Sequence, residues 1–284
     1  MAKPSARVPR TIGICSSTAL AVLALGGCSG GSVGMAADAT TAVQKAALTS
    51  AEAGSAKVAT DVEMSVGPDS TRFVGAGLFD LTGQIGSIAL QRTNAAGQPD
   101  GPELDEIVTP SALYLRGGQQ GAKWGEVAAA HLADGDLISA GYTNPVLAFA
   151  LLRGVGGQAG PVHYVGQSVV RGTKLAHYIG NLDLDASANA AAGPVKADLG
   201  EAAVAFSQRT IPFEVFLDAQ GRACRVITHY TFPAAAPQHG QVEITSTTDL
   251  YDFGTPVSVS TPGPADLAVP TQPAQPAATT QPAG

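Results

Sequence analysis

KVATDVEMSVGPDSTRFVGAGLF, residues 57–79, alternates apolar and polar side chains on both sides of a Gly67-Pro68-Asp69 break. A period of two is the pattern of a strand with one buried face, and Gly-Pro-Asp is turn chemistry. GQIGSIALQR (83–92) repeats the pattern after Leu81-Thr82-Gly83, which predicts three consecutive antiparallel strands. Gly75, Gly77 and Gly86 fall inside these strands. Glycine within a strand marks a bend or the close approach of another backbone or a ligand, so the sheet is expected to be curved.

Upstream, TTAVQKAALTSAEA (40–53) predicts a helix with Val43, Ala46, Ala47 and Ser50 on one face, capped by Asp38 or Thr40 and stopped at Gly54. Downstream, LDEIVTP, ALYLRG and AKWGEV continue the strand pattern, with a turn at Gly117–Gly121. NPVLAFALLRG (144–154) then predicts a helix, with Asn144 as cap, Pro145 in the first turn and Gly154 as terminator. It is apolar all round, so it is either buried on every side or has one face against an apolar ligand. Two further strands meet at Gly172, an Ala-rich stretch from 186 to 207 reads as two short helices split at Gly193-Pro194, and residues 211–232 form a hairpin turning at Asp218–Gly221. Residues 239–260 supply the last strand or strands, and from 262 to 284 Pro, Ala, Thr and Gln predict a disordered tail.

The N-terminus carries Lys3, Arg7 and Arg10, then a mostly apolar run from Ile12 to Leu25. That is the layout of a secretory signal, too short to span a bilayer. Leu25-Gly26-Gly27-Cys28 resembles the bacterial lipobox, which implies cleavage after residue 27 and a diacylglycerol on the Cys28 sulfur. Two or three acyl chains anchor firmly where one does not. Residues 28–37 then read as a flexible linker and 38–261 as one domain. Loss of residues 1–27 makes the chain more acidic than its whole-sequence net charge of -7, which excludes a nucleic-acid binder, since that needs clustered Lys and Arg. Cys15 leaves with the signal and Cys28 is lipidated, so Cys224 stands alone, without an intramolecular disulfide, as a small buried hydrophobe in a strand.

Motifs for chemistry are weak. Gly30–Gly34 matches the hydrolase elbow G-x-S-x-G but sits in the linker, with no strand before it. Gly154–Ala159 matches G-x-G-x-x-A but follows a helix, where a dinucleotide site needs the glycines to precede one. His131, His163, His177, His229 and His239 lack the spacing of a zinc site, and His163-Tyr164 and His177-Tyr178 read as packing on neighbouring strands. Asp183-Leu184-Asp185 lacks the glycine and terminal glutamate of a calcium loop and reads as a strand end and helix cap. No enzyme, cofactor or metal reading gains support.

The order of these pieces resembles the LppX/LprG (LppX/LprA/LprF/LprG) family of actinobacterial cell-envelope lipoproteins, similar in fold to the lipoprotein carrier LolA. The likeness rests on Cys28, on GTKLAHYIG at 172–180, on PFEVFLDAQGR at 212–222 and on LYDFGTPVSVSTP at 250–262, and it covers nearly the whole body. Two features depart from the family: Phe216 stands where tryptophan is frequent, and the Pro-rich tail is foreign to it. The resemblance implies an α+β fold, a curved antiparallel half-barrel with helices on its concave face around a cavity for acyl lipids or lipoglycans. It also implies a lipid anchor on the extracytoplasmic face of the cell membrane and an envelope lipid exporter as partner. Hydrophobicity supplies the physical reason, because apolar area left in water costs roughly 25 cal/mol per Å². A carrier must enclose apolar volume without filling it, and small strand residues with few aromatics suit that. Val74, Ala76, Leu78, Leu113, Leu115, Leu147, Leu151, Phe213 and Val215 are the expected cavity lining. A register error of one would invert the strand members of this set. The alternative is a surface or scaffold lipoprotein with a filled core that binds a protein or the cell wall.

Overall fold

The computed structural model describes residues 31–117, 122–128, 144–205, 208–233 and 240–268. The alternating stretch forms β1 (Ser55–Val66) and β2 (Asp69–Asp80), paired antiparallel from Ser55 with Asp80 to Val66 with Asp69. Gly67 turns the chain between them at φ +59°, which glycine adopts without steric cost. β3 (Ile85–Thr93), β4 (Leu104–Val108), β5 (Ala112–Gly117) and β6 (Gly125–Ala128) extend the meander outward. A second meander comprises β7 (His163–Val170), β8 (Thr173–Asp183), β9 (Thr210–Leu217), β10 (Ala223–Pro233) and β11 (Gln241–Tyr251). β11 lies against β1, so the order is β6-β5-β4-β3-β2-β1-β11-β10-β9-β8-β7, all antiparallel. β6 and β7 end the sheet without pairing to each other. The fold is an open antiparallel sheet with helices, α+β as expected.

Register assigns the two faces. Val58 and Val62 of β1, Phe79 of β2, Ile88 of β3, Leu113 of β5 and Ile244 and Leu250 of β11 point inward into one buried cluster. Among the described residues four helices contribute to that cluster: α1 (Gly31–Glu52), α2 (Pro145–Leu151), α3 (Leu184–Ala190) and α4 (Pro194–Ala205). The outer face carries charge, with Arg72 paired to Asp61 and Arg116 to Asp105. Asp249 of β11 is buried on that face, at 5% side-chain exposure, where Arg225 and Arg171 both donate to it, at 2.7 and 2.9 Å to Oδ2. Arg171 belongs to the β7–β8 turn, so that hairpin bends over the outer face, where Val170, Leu175 and Phe216 form a second small apolar cluster. Bulges at Tyr164/Gly166 and Ala223/Arg225 supply local bending.

Gly77 and Gly86 are there for space. A Cβ on Gly77 would stand 1.9 Å from the Ser87 carbonyl oxygen, and one on Gly86 would stand 2.1 Å from the Phe79 ring that covers it. Both close approaches match the reading of these glycines in the sequence.

Helix boundaries differ at the starts of α1 and α3, the latter beginning at Leu184 where 186 was expected. α1 starts at Gly31, inside the expected linker, because Met35, Ala36 and Ala37 are good helix formers and extending an existing helix costs little. α3 and α4 are split at Gly193-Pro194 as expected, and Asp183 ends β8 and caps α3 by accepting from the Ala186 N–H at 2.7 Å. Of the segment from 262 onward, residues 262–268 are among those described. Leu267 forms a parallel bridge with Trp124, whose N–H donates to Asp266 O at 3.0 Å. Lipidation at Cys28, the Gly118–Gly121 turn, His131 and His239 lie outside the described residues. No helix among the described residues is long and apolar enough to cross a membrane, which says nothing of spans made from strands.

Gly77→Val forces β2 and β3 apart, and overpacking of this kind costs about 1–3 kcal/mol. The expected result is a lower urea midpoint with an unchanged slope. An unchanged midpoint would show that the two strands do not need this contact.

Candidate functional site: an apolar cleft among the helices

α2 forms as its sequence dictates. The Asn144 side chain accepts from the Val146 N–H at 3.0 Å, Pro145 occupies the first turn, and a 3₁₀ turn over Leu152–Gly154 ends the helix. Gly154 is required at this end, because a Cβ there would meet Ser187 Oγ at 2.1 Å. Pro145, Leu147, Ala148, Phe149 and Leu151 are buried, while Val146 and Ala150 are partly exposed. The all-apolar helix is therefore neither wholly buried nor freely exposed, and its uncovered side faces a cleft.

That cleft has a volume of about 180 Å³. Ala47 and Ala51 of α1, Val146, Phe149 and Ala150 of α2, and Ala191, Ala192 and Val195 around the α3–α4 break make its apolar wall. Alanines create the space, since a methyl leaves room that Leu or Ile would fill. The remaining lining is polar: Ser50, Gln84 and Arg153, with Leu81 beside them. Ser50 is held by α1 and accepts from the Ala223 N–H at 2.9 Å. Gln84 is presented by the β2–β3 turn, where Asp80 Oδ1 accepts from the Thr82 and Gly83 N–H groups and Gln84 takes φ +55°. Positive φ is uncommon for residues other than glycine. Arg153 follows α2, and its Nη1 donates to Ala190 O at 3.0 Å while its Nε is buried without a hydrogen-bond partner.

The expected cavity residues divide between the two faces. Leu113, Leu147, Leu151, Phe213 and Val215 lie together in the inner cluster, with Leu115 packed on it. Val74, Ala76 and Leu78 pair with Asp61, Ala59 and Lys57, which places them on the outer face, away from the helices. The inward residues of β2 are Phe73, Gly75, Gly77 and Phe79. Glycines at the inward positions remove the apolar signal there, so the alternation points the wrong way. Ala76 and Leu78 instead line an outer-face depression of about 350 Å³ with Asp105, Arg116 and Trp124, where the Arg116 guanidinium lies 4.5 Å over the indole. Arg153 and Gln84 were not singled out from sequence. Arg153 had a visible signal, as the one charged residue in NPVLAFALLRG.

Other candidates resolve into packing. Tyr164 and Tyr178 pair across β7 and β8 with ring centroids 5.3 Å apart. His177 stacks on Phe216 at 4.1 Å and meets Glu214 at 2.8 Å, and His229 meets Thr245 at 3.1 Å. Among the described residues no group of His, Cys, Asp and Glu is placed to hold a metal ion. Burial, with the Asp218 charge adding to it, pushes the Cys224 thiol up to about 12.

The site and sheet together define a class: an open antiparallel sheet whose inner face is roofed by helices with an apolar cleft between them. Solved structures similar to this chain include LprF from Mycobacterium bovis, at 15% identity and a TM-score of 0.42, covering 80% of this chain and 97% of that one. The Mycobacterium tuberculosis lipoprotein LppX is similar at 13% identity and a TM-score of 0.42, over 78% and 99%. A putative outer membrane lipoprotein-sorting protein domain from Vibrio parahaemolyticus is similar at 7% identity and a TM-score of 0.30, over 78% and 95%. No protein-family model matches the chain, and no curated protein matches its sequence.

A thiol held near 12 carries almost no thiolate at neutral pH. Cys224 is expected to react with a maleimide or disulfide reagent at pH 8 at least about tenfold more slowly in the folded protein than in denaturant. Equal rates would mean that the thiol is neither buried nor raised.

Proposed function

We propose that this chain is a membrane-anchored lipoprotein of the cell envelope that binds acyl lipids, and carries them, using the apolar space beneath and between its helices. The observation that carries the reading is the cleft bounded by α1, α2 and the α3–α4 break, whose apolar wall is alanine, valine and one phenylalanine. An exposed apolar wall of this kind is costly in water, and an acyl segment covering it recovers that cost. The lipobox-like Leu25–Cys28 and the family resemblance support the anchor and the cell-membrane location. At about 180 Å³ the cleft is smaller than the roughly 300–1,000 Å³ of pockets that enclose drug-sized ligands, so as it stands it admits part of one chain. A whole diacyl lipid requires α2 to move off the inner face.

A second reading has its own observation. Leu113, Leu147, Leu151, Phe213 and Val215 are all buried in one contiguous cluster, as in a filled core. A scaffold lipoprotein that binds a protein or the cell wall would look like this on its inner face.

Native mass spectrometry with organic extraction separates the two, using the chain from Ser29 onward purified from an actinobacterial host. The lipid reading expects acyl species that leave only on denaturation, and about a tenfold loss of uptake in Ala150→Trp, which fills the cleft while leaving the sheet intact. A clean apo mass with no uptake of either an added single-chain amphiphile or an added diacyl lipid selects the scaffold reading. For the anchor, Cys28→Ser in the whole chain is expected to abolish incorporation of labelled palmitate and sedimentation with membranes.

A further inference from the structure

We infer that the cleft reads an anionic head group, with Arg153 and Gln84 taking the carboxylate or phosphate oxygens of a single-chain amphiphile whose hydrocarbon lies along Ala47, Ala150 and Val195. This rests on the lipid-binding reading and adds the ligand's charge and chain number.

Four observations converge. First, among the described residues the lining is divided in chemistry, with small apolar side chains and three polar residues, Ser50, Gln84 and Arg153, and no acidic residue. Second, Arg153 is underused. Its guanidinium makes a hydrogen bond to Ala190 O, its Nε is buried without a partner, and no carboxylate among the described residues forms an ion pair with it. Arginine presents donors in a planar fork that suits carboxylate and phosphate oxygens. Third, Gln84 belongs to the lining and comes from the β2–β3 turn, where Asp80 Oδ1 accepts from the Thr82 and Gly83 N–H groups, so the lining holds an uncharged donor besides Arg153. Fourth, a volume of about 180 Å³ accommodates part of one chain, so a second acyl chain has no place here in this arrangement.

The geometry also sets polarity. Arg153 follows α2 directly and is tied to the end of α3, while the apolar wall continues along α2 through Ala150, Phe149 and Val146. The head group therefore sits at the C-terminal end of α2, with the chain running back along the helix.

The test is isothermal titration of the chain from Ser29 onward, which contains every strand and helix described here. The probes are dodecanoate, dodecyl phosphate, neutral 1-monododecanoylglycerol and inorganic phosphate, each below its micelle concentration. Wild type is expected to bind the first three and not inorganic phosphate. Arg153→Gln, which can still donate to Ala190 O, is expected to weaken both anions at least tenfold and to leave the neutral glyceride within twofold. Arg153→Lys, which keeps the charge but loses the fork, is expected to fall between. Binding of all three amphiphiles equally by wild type and Arg153→Gln would overturn the head-group assignment and leave the lipid reading standing. Inorganic phosphate binding as tightly as dodecyl phosphate would also overturn it, because the chain would then contribute nothing. Failure of every amphiphile to bind wild type would overturn the head-group assignment, and the native mass spectrometry of bound acyl species then decides the lipid reading separately. Circular dichroism of each variant establishes that the fold is retained, and Gln84→Ala provides an independent check, with a smaller loss confined to the anions.

Discussion

The ladder between β1 and β11 holds the molecule together. It pairs Lys57 with Tyr251 at one end and Val66 with Val242 at the other, bringing residues almost 200 positions apart into register. Each half of the sheet is otherwise a meander of strands adjacent in sequence, interrupted only where α3 and α4 lie between β8 and β9. Local hairpins close short loops, whereas the β1–β11 pairing must close about two thirds of the chain, and it returns that entropy only when the helices and inner face collapse together. The inner side chains of this ladder, Val58, Val62, Ile244 and Leu250, belong to the main cluster. On the outer side the Asp249 network with Arg225 and Arg171 fastens β11 to β10 and to the β7–β8 turn.

Placing the first and last strands in the centre of the sheet has a consequence for the site. The two meanders spread outward from β1 and β11 and leave β6 and β7 as free ends, so the sheet stays open and its inner face must be covered by helices. Short helices rich in alanine make an incomplete cover. α1 and the α3–α4 break meet α2 through methyl groups at Ala47, Ala150 and Ala191, and a gap remains where larger side chains would interdigitate. The same composition that lowers packing bulk therefore builds the cleft.

Much of the fold was legible from residues 57–92 and the segments that echo them. Period-two alternation located the strands, Asn144-Pro145 located the start of α2, and Gly193-Pro194 located the α3–α4 break, because each is a local steric or hydrogen-bonding constraint. On β5 and β9 Leu113, Leu115, Phe213 and Val215 face inward, in or against the main cluster and apart from the cleft lining. The expected facing failed on β2. There the inward positions include Gly75 and Gly77, which make room for β3 and Thr60, while Val74 and Leu78 stand on the outer face. Alternation reports which residues share a face, but the choice of face depends on what packs against it.

By itself the sequence determined the antiparallel α+β character, the boundaries of most strands, the two-piece Ala-rich helix and the apolar nature of α2, all properties set within a few residues by period, caps and breakers. Tertiary structure decided the rest: that β1 and β11 are partners, that the helices lie on the Val58 side of the sheet, and that Ala47, Gln84, Ala150, Arg153 and Val195 meet around one cleft. These residues come from four separated segments. Their meeting is a property of long-range register and packing, which no local pattern encodes.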